Sequence, residues 1–282
     1  MCAPATPHIL DEFHSNSQLE STVLVSIWEL GEVIGPLIIG PVSELYGRLP
    51  VYHTANILFI IFSVIAAESR NINMLIALRF LLGLTVASTT LNPCIVGDLF
   101  EPNQRGRAIA VMGMTPFIAP VLGPIVGGLI SEAKGWRWTF WLTAIITGVF
   151  EIGFLLLYRE TYKVVILSAK ARRLQKQTGN PQLRTHYHIN ISGPALLGQS
   201  VFRPIKLLFV SSVVLLVSIC GALALSYTYV IITTLTRVFG DSYGFSEGHV
   251  GLTYLGLGTF VSSVYILISH FSLCPYELKH PE

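Results

Sequence analysis

Long apolar runs separated by short polar breaks dominate the chain, and many of the runs are too long for the core helices of a soluble domain. Crossing a hydrocarbon layer about 30 Å thick takes about 20 mostly apolar helical residues. Seven stretches have that character: Leu19–Ile39, Val51–Ala67, Met74–Val96, Ala108–Ile130, Thr139–Tyr158, Leu207–Leu235 and Val250–His270. Charged, Gly/Pro-containing or Asn-containing breaks bound each of them. Lipid supplies no partner for an unpaired backbone group, so the pattern predicts α-helices, and the fold class is an all-α membrane protein of about seven transmembrane helices.

Composition agrees with that pattern. Hydrophobic residues make up 52% of the chain and charged residues 12%, where a soluble domain carries about a quarter charged. The net charge of +2 is too small for a nucleic-acid partner, and the expected partner is the lipid bilayer. Cys2, Cys94, Cys220 and Cys274 fall singly in separate segments, without CxxC or metal-ligand spacing, so neither a disulfide framework nor a metal or cofactor site is expected. The first thirteen residues, Met1–Phe13, lack the basic start and apolar centre of a signal peptide, which leaves insertion to the first span.

Lys and Arg set the expected orientation, because cytoplasmic loops carry their excess. Arg48, Arg105, Arg107, Arg159, Lys163, Lys170, Arg172, Arg173, Lys176, Arg184, Arg203 and Lys206 all fall on one side of a seven-span arrangement. Arg70, Lys134, Arg137 and Arg237 fall on the other. The first side is read as cytosolic, with the N-terminus outside and the tail ending at Glu282 inside. The one long loop runs from Arg159 to Lys206, and its stretch Ala169–Gln177 is suited to a basic surface helix. Its basic residues are read as topological anchors.

Residues with chemistry cluster at the loops and in a few spans. Gly40-Pro41-Val42-Ser43-Glu44-Leu45-Tyr46-Gly47-Arg48 combines turn-permitting glycines with an acid and an arginine suited to charge-assisted bonds between helix ends. It resembles the G-x-x-x-D-x-x-G-R signature of the major facilitator superfamily, with Glu44 where the family has Asp. Arg79-Phe80-Leu81-Leu82-Gly83, in the third span, resembles the family's R-x-x-x-G element. A charged side chain within a span costs at least about 2.5–3.5 kcal/mol on insertion scales. Arg79 should therefore meet a partner or a wet cavity, or else snorkel to the interface. Ala119-Pro120-Val121-Leu122-Gly123-Pro124-Ile125-Val126-Gly127-Gly128 is similar to the family's antiporter motif ending G-P-x-x-G-G, with Ala119 in a glycine position. Its small residues allow close helix packing. Asp98 and Glu101, with Arg105 and Arg107, read as a charge network on the inner face. Trp136, Trp138 and Trp141 read first as an interfacial belt.

Three acids lie within spans: Glu29 and Glu32, three apart on one helix face, and Glu151. With Arg79 they are the candidates for a substrate or proton pathway, since a carboxyl that gains and loses a proton is what a proton-coupled carrier needs. Glu160-Thr161-Tyr162 and the residues to Asn180 resemble the start of the central loop in fungal drug:proton antiporters.

That resemblance implies proton-coupled efflux of drugs or secondary metabolites, with a small-molecule substrate and protons as partners and the plasma membrane as location. The family's signature loop follows its second helix, its arginine element lies on the fourth and its antiporter motif on the fifth. Here each comes one span earlier. The family's first helix and last four helices are therefore expected to be missing, and the chain alone is expected not to transport. Residues 1–158 would be an incomplete N-terminal half of five spans, 159–206 a cytosolic basic central loop, and 207–282 the start of the C-terminal half with two spans. A seven-helix receptor is the alternative. The signature loop around Arg48, the long basic loop after the fifth span and the lack of an acid-Arg-Tyr triplet after the third argue against it. An enzyme is not expected, because no Ser/His/Asp set, HExxH or Cys/His cluster lies at compatible depths.

Overall fold

The computed structural model describes residues 2–14, 18–113, 115–158, 160–180, 185, 198, 202, 206–246 and 248–256. In chain order the helices are α1 (Cys2–Glu12), α2 (Gln18–Tyr46), α3 (Arg48–Ala67), α4 (Ile72–Val86), a 3₁₀ turn (Ala87–Leu91), α5 (Asn92–Leu99), α6 (Pro102–Gly113), α7 (Thr115–Lys134), α8 (Arg137–Leu157) and α9 (Lys163–Thr178). Helical residues 206–210 (α10), α11 (Ser212–Arg237), a π turn (Val238–Ser242) and helical residues 248–256 (α12) follow. Five helical stretches among the described residues are long and apolar enough to cross a membrane: Leu19–Tyr46, Arg48–Ala67, Ile72–Leu99, Arg137–Leu157 and Ser212–Ile231. Their outer faces are apolar and uncovered; Leu156 and Leu157 are 80% and 85% exposed, a pattern that requires lipid as solvent. The chain is thus a multi-pass integral membrane protein.

The fourth expected span, Ala108–Ile130, is carried by α6 and α7, on either side of position 114, which lies outside the described residues. The seventh opens as α12, and its part beyond residue 256 lies outside them too, as do Arg159, Arg184 and Arg203 of the expected central loop. Inside that loop α9 covers Lys163–Thr178, longer than the stretch expected from the basic residues alone.

Two local departures from the sequence pattern have clear causes. The third span tightens into the 3₁₀ turn Ala87–Leu91 one residue before Asn92 and Pro93. Proline has no N–H to give the carbonyl of Thr89 and its ring crowds that carbonyl, so the turn closes with the three-residue bond from Asn92 N–H to Thr89 instead. The N-terminal segment, where the sequence pattern places no span, forms α1 because it has a core to enter. Ala5 and Ile9 are fully buried with Leu24, Leu75, Leu78, Trp136 and Phe140. Trp136 is therefore a core residue and not a member of an interfacial belt; among the three tryptophans opening the fifth span, Trp138 is the exposed one.

Helix α2 packs most extensively on α4, and α3 on α8. The α2–α4 crossing depends on glycine. A Cβ added at Gly31 would meet the backbone of Phe80 and Leu84, and one added at Gly83 would meet the carbonyl of Trp28. Neither neighbour can swing aside, since both are main chain. Glu12 ties α1 to the start of α8, accepting hydrogen bonds from Trp136 Nε1 at 2.6 Å and from Arg137 Nη1. Arg137 also donates to the carbonyl of Ser69 at 3.2 Å, joining the α3–α4 turn.

Gly31→Ala is expected to cost about 1–3 kcal/mol by overpacking and to lower the thermal midpoint of the detergent-solubilised protein. Gly40→Ala, at a position with open space around it, should leave it unchanged. Burial pushes the Glu12 carboxyl up, but the hydrogen bonds from Arg137 and Trp136 and the Arg137 charge more than offset this and hold it below the usual range. Its contribution is then complete above the unfolded carboxyl value, about pH 4.3, and is lost as pH falls through the lower folded value. Tryptophan fluorescence should report a change on acidification that Glu12→Gln removes.

Candidate functional site

The turn between α2 and α3 is built around Gly47, whose φ of +100° suits glycine alone. A Cβ there would lie 2.5 Å from the Glu160 carboxylate. That carboxylate accepts the backbone N–H groups of Arg48 at 3.3 Å, Leu49 at 3.2 Å, Thr161 at 3.0 Å and Tyr162 at 2.9 Å. Glu160 thereby caps the positive end of α3 and fixes the chain as it leaves α8. The cap also explains why α3 begins at Arg48, three residues before the apolar run that marks it in the sequence.

Arg48 pairs across helices. Its Nε lies 2.8 Å from Asp98 Oδ2 at the end of α5, an ion pair more than an aligned hydrogen bond, and its guanidinium stands 5.1 Å from the Tyr162 ring centre. Burial and the Glu44 charge raise the Tyr162 phenol above its usual range, opposed by Arg48. Glu44 itself is exposed, so the acid at the family's signature position is not the partner of Arg48 here. Arg105 is exposed and donates from Nε to the Phe100 carbonyl at 3.0 Å. Arg107 is exposed beside an apolar groove of about 890 Å³ that Val96, Val111 and Phe154 also line.

Three of the four candidate pathway residues come together. Arg79 on α4 is 9% exposed, and its guanidinium stands 5.9 Å from the ring centre of Trp28 on α2. This is a cation–π contact inside the bundle, not a snorkelling side chain. Trp28 Nε1 donates to Glu32 at 3.3 Å. Glu29 lies within electrostatic reach of both Arg79 and Glu32 and accepts a hydrogen bond from Tyr229 of α11. The Gly31–Gly83 crossing is what brings these side chains to one level.

Glu151 stands apart from them. It is 4% exposed on α8 and bonded to His53 and Asn56 of α3.

The antiporter-like motif lies on α7. Pro124, Gly127 and Gly128 are buried and Gly123 half-buried, while Pro120 sits one turn before Gly123 on the same helix. A Cβ added to Gly251 of α12 would lie 2.7 Å from the Pro124 carbonyl, so the small residues serve a close helix crossing. At the end of α7, Glu132 accepts the Gly248 N–H at 2.9 Å and the Ser246 hydroxyl at 3.3 Å, capping α12. Among the described residues, no three His, Cys, Asp or Glu side chains converge to hold a metal ion.

Sequence reasoning passed over Trp28, His53, Asn56, Glu132 and Tyr229, and gave Glu160 no role. One signal was present: His53 and Asn56 are three apart on a mostly apolar helix, so they share a face.

The fold and these contacts define a membrane protein of packed, apolar helices with charged groups matched between helices. The family described as Major Facilitator Superfamily matches residues 1–273, and the chain belongs to that superfamily. It is 45% identical over 259 residues to the efflux pump radE of Floropilus chiversii, covering 92% of this chain and 48% of that protein. It is 43% identical to the MFS-type transporter hepF of Aspergillus oryzae (91% and 52% covered) and 41% identical to the MFS-type transporter penM of Penicillium rubens (92% and 51% covered). The chain thus spans about half the length of the curated relatives it matches. A seven-helix receptor is set aside by this membership.

Glu160→Ala should lower stability by about 0.5–2 kcal/mol, the usual cost of losing an N-cap. Glu44→Ala should change it by less than about 0.5 kcal/mol, as for other exposed positions. Thermal unfolding in detergent, followed by fluorescence-detected size exclusion, separates the two.

Proposed function

We propose that the chain is the greater part of one helical half, and the beginning of the other, of a proton-coupled exporter of drugs or secondary metabolites. In this reading residues 1–158 form the first half, 159–206 the central loop and 207–282 the opening of the second half. The Arg48 end faces the cytosol, the N-terminus faces outward, and the plasma membrane is the location. No chemical step is assigned to the chain; its work is to bind and release a small molecule and protons.

The observation that carries the reading is the Arg79–Trp28 contact with Glu29 and Glu32 beside it, reached from the second half by Tyr229. A cation and two acids held inside an apolar bundle are the ingredients of a site whose charge changes when a proton or substrate arrives. Its position between α2, α4 and α11 suits alternating access, in which two halves rock about a central site. The Arg48–Asp98 pair and the Glu160 cap are read as a brace that keeps helix ends of the first half moving as one body. Efflux as the direction of transport follows the similarity to the efflux pump radE.

The test is a chimera in which this chain replaces the matching half of radE, reconstituted in vesicles. Export of a fluorescent substrate driven by a pH gradient is expected, and Arg79→Gln should reduce it about ten-fold or more, the equivalent of about 1.4 kcal/mol. Export unchanged by both Arg79→Gln and Glu29→Gln would contradict this site.

A further inference from the structure

Glu151 makes contacts that the central cluster does not share. Its Oε1 faces His53 Nδ1 at 2.5 Å and its Oε2 accepts a hydrogen bond from Asn56 Nδ2 at 2.7 Å. Its side chain is 4% exposed and that of His53 13%. Among the described residues, no Lys or Arg pairs with this carboxylate. The titratable group facing the pair is Tyr52, on the same helix as His53, with Tyr158 at the end of α8 beside Tyr52 in turn. The Arg48–Asp98 pair at the helix end balances its own charge. From the 3₁₀ turn, Thr89 faces the same space.

Counting charge gives the chemistry. A neutral imidazole beside a carboxylate carries one net negative charge, and the same pair with one added proton is neutral. An uncompensated charge among apolar helices is costly, whereas a neutral hydrogen-bonded pair is not. With Nδ1–H donating to Oε1, Nε2 is left as the atom that takes the proton. Water can reach the Glu151 side of the pair: a cavity of about 250 Å³ adjoins Glu151 and Asn56, and Thr89, Thr143 and Thr147 line it among apolar Phe59, Ile146 and Phe150. That volume is room for several waters at about 30 Å³ each, with Asn56 and the three threonines as the polar groups among apolar walls. A hydronium ion entering there gives its proton to the pair and leaves as water, and release reverses the step.

We propose that His53 and Glu151 form a one-proton binding site between α3 and α8, separate from the Arg79 cluster and reached by water through the cavity beside Glu151. The proton's presence sets whether the two helices share a neutral pair or a net negative charge. As the site of a coupling proton it rests on the export reading; as a proton-binding site it does not.

The test is ring-nitrogen NMR of the purified chain in lipid nanodiscs, with His53 identified by its absence in His53→Gln. In a pH series from about 4 to about 10, the span from an ordinary carboxyl to an ordinary ammonium group, the His53 signal is expected to show the uptake of one proton. Glu151→Gln should lower its proton affinity ten-fold or more, and Glu29→Gln should leave it alone. A His53 signal that stays constant over the whole range would overturn the site, and this comparison does not depend on the folding of Glu151→Gln. In the radE chimera, His53→Gln is expected to weaken pH-driven export, and export identical to the unsubstituted chimera would overturn the coupling role. Failure of the unsubstituted chimera to export would count against the export reading, while the NMR titration still decides the site.

Discussion

Lipid offers a buried polar group nothing to bond to, and most of the contacts described above follow from that single constraint. The backbone must close its own hydrogen bonds, which leaves helices. A charged side chain must find its partner on another helix, because no solvent will stabilise it. Arg79 meets the face of Trp28 on α2, Glu151 is held by two side chains of α3, and Arg48 pairs with Asp98 on α5. Each polar group is therefore also a registration mark: it fixes which turn of one helix lies against which turn of the next.

Apolar contact alone would not do this. Between helices in lipid there is little hydrophobic drive to associate, so close approach and polar matching set the arrangement. Gly31 against Gly83 and Gly251 against Pro124 give the close approach, one within the first set of spans and one joining α7 to α12. The same logic explains the helix ends. Glu160 and Glu132 come from segments far away in sequence, and each supplies a carboxylate to a helix whose first N–H groups would otherwise lack a partner.

The span pattern was legible because apolar length is a property of the chain itself, and family membership was legible in the ordered motifs around Arg48, Arg79 and Gly123. What could not be read was pairing. Glu44 occupies the family's acid position, yet Arg48 turns to Asp98, fifty residues on, since the choice depends on how α3 and α5 lie together. Nothing local to Glu160 announces that it will cap a helix beginning at Arg48. The 3₁₀ turn before Pro93 was deducible from the proline and was passed over, because hydropathy is blind to a missing N–H. Helix α1 was missed for the opposite reason: its stability comes from the core that Ala5 and Ile9 enter, and not from its own sequence. Of the candidate site, Arg79, Glu29 and Glu32 could be singled out as buried charges, but Trp28 and Tyr229 become visible as their partners only in three dimensions.

Alternate crossing of a bilayer, with the basic helix ends left on one face, can be tested directly. Single cysteines placed at Arg48, Glu101 and Lys170, and others at Asn71 and Lys134, can be labelled with a membrane-impermeant reagent in sealed vesicles of known sidedness, after Cys2, Cys94, Cys220 and Cys274 are replaced by serine. The first three are expected to label from one face and the last two from the other. Labelling of Arg48 and Lys170 positions from opposite faces, or of all five from the same face, would contradict it.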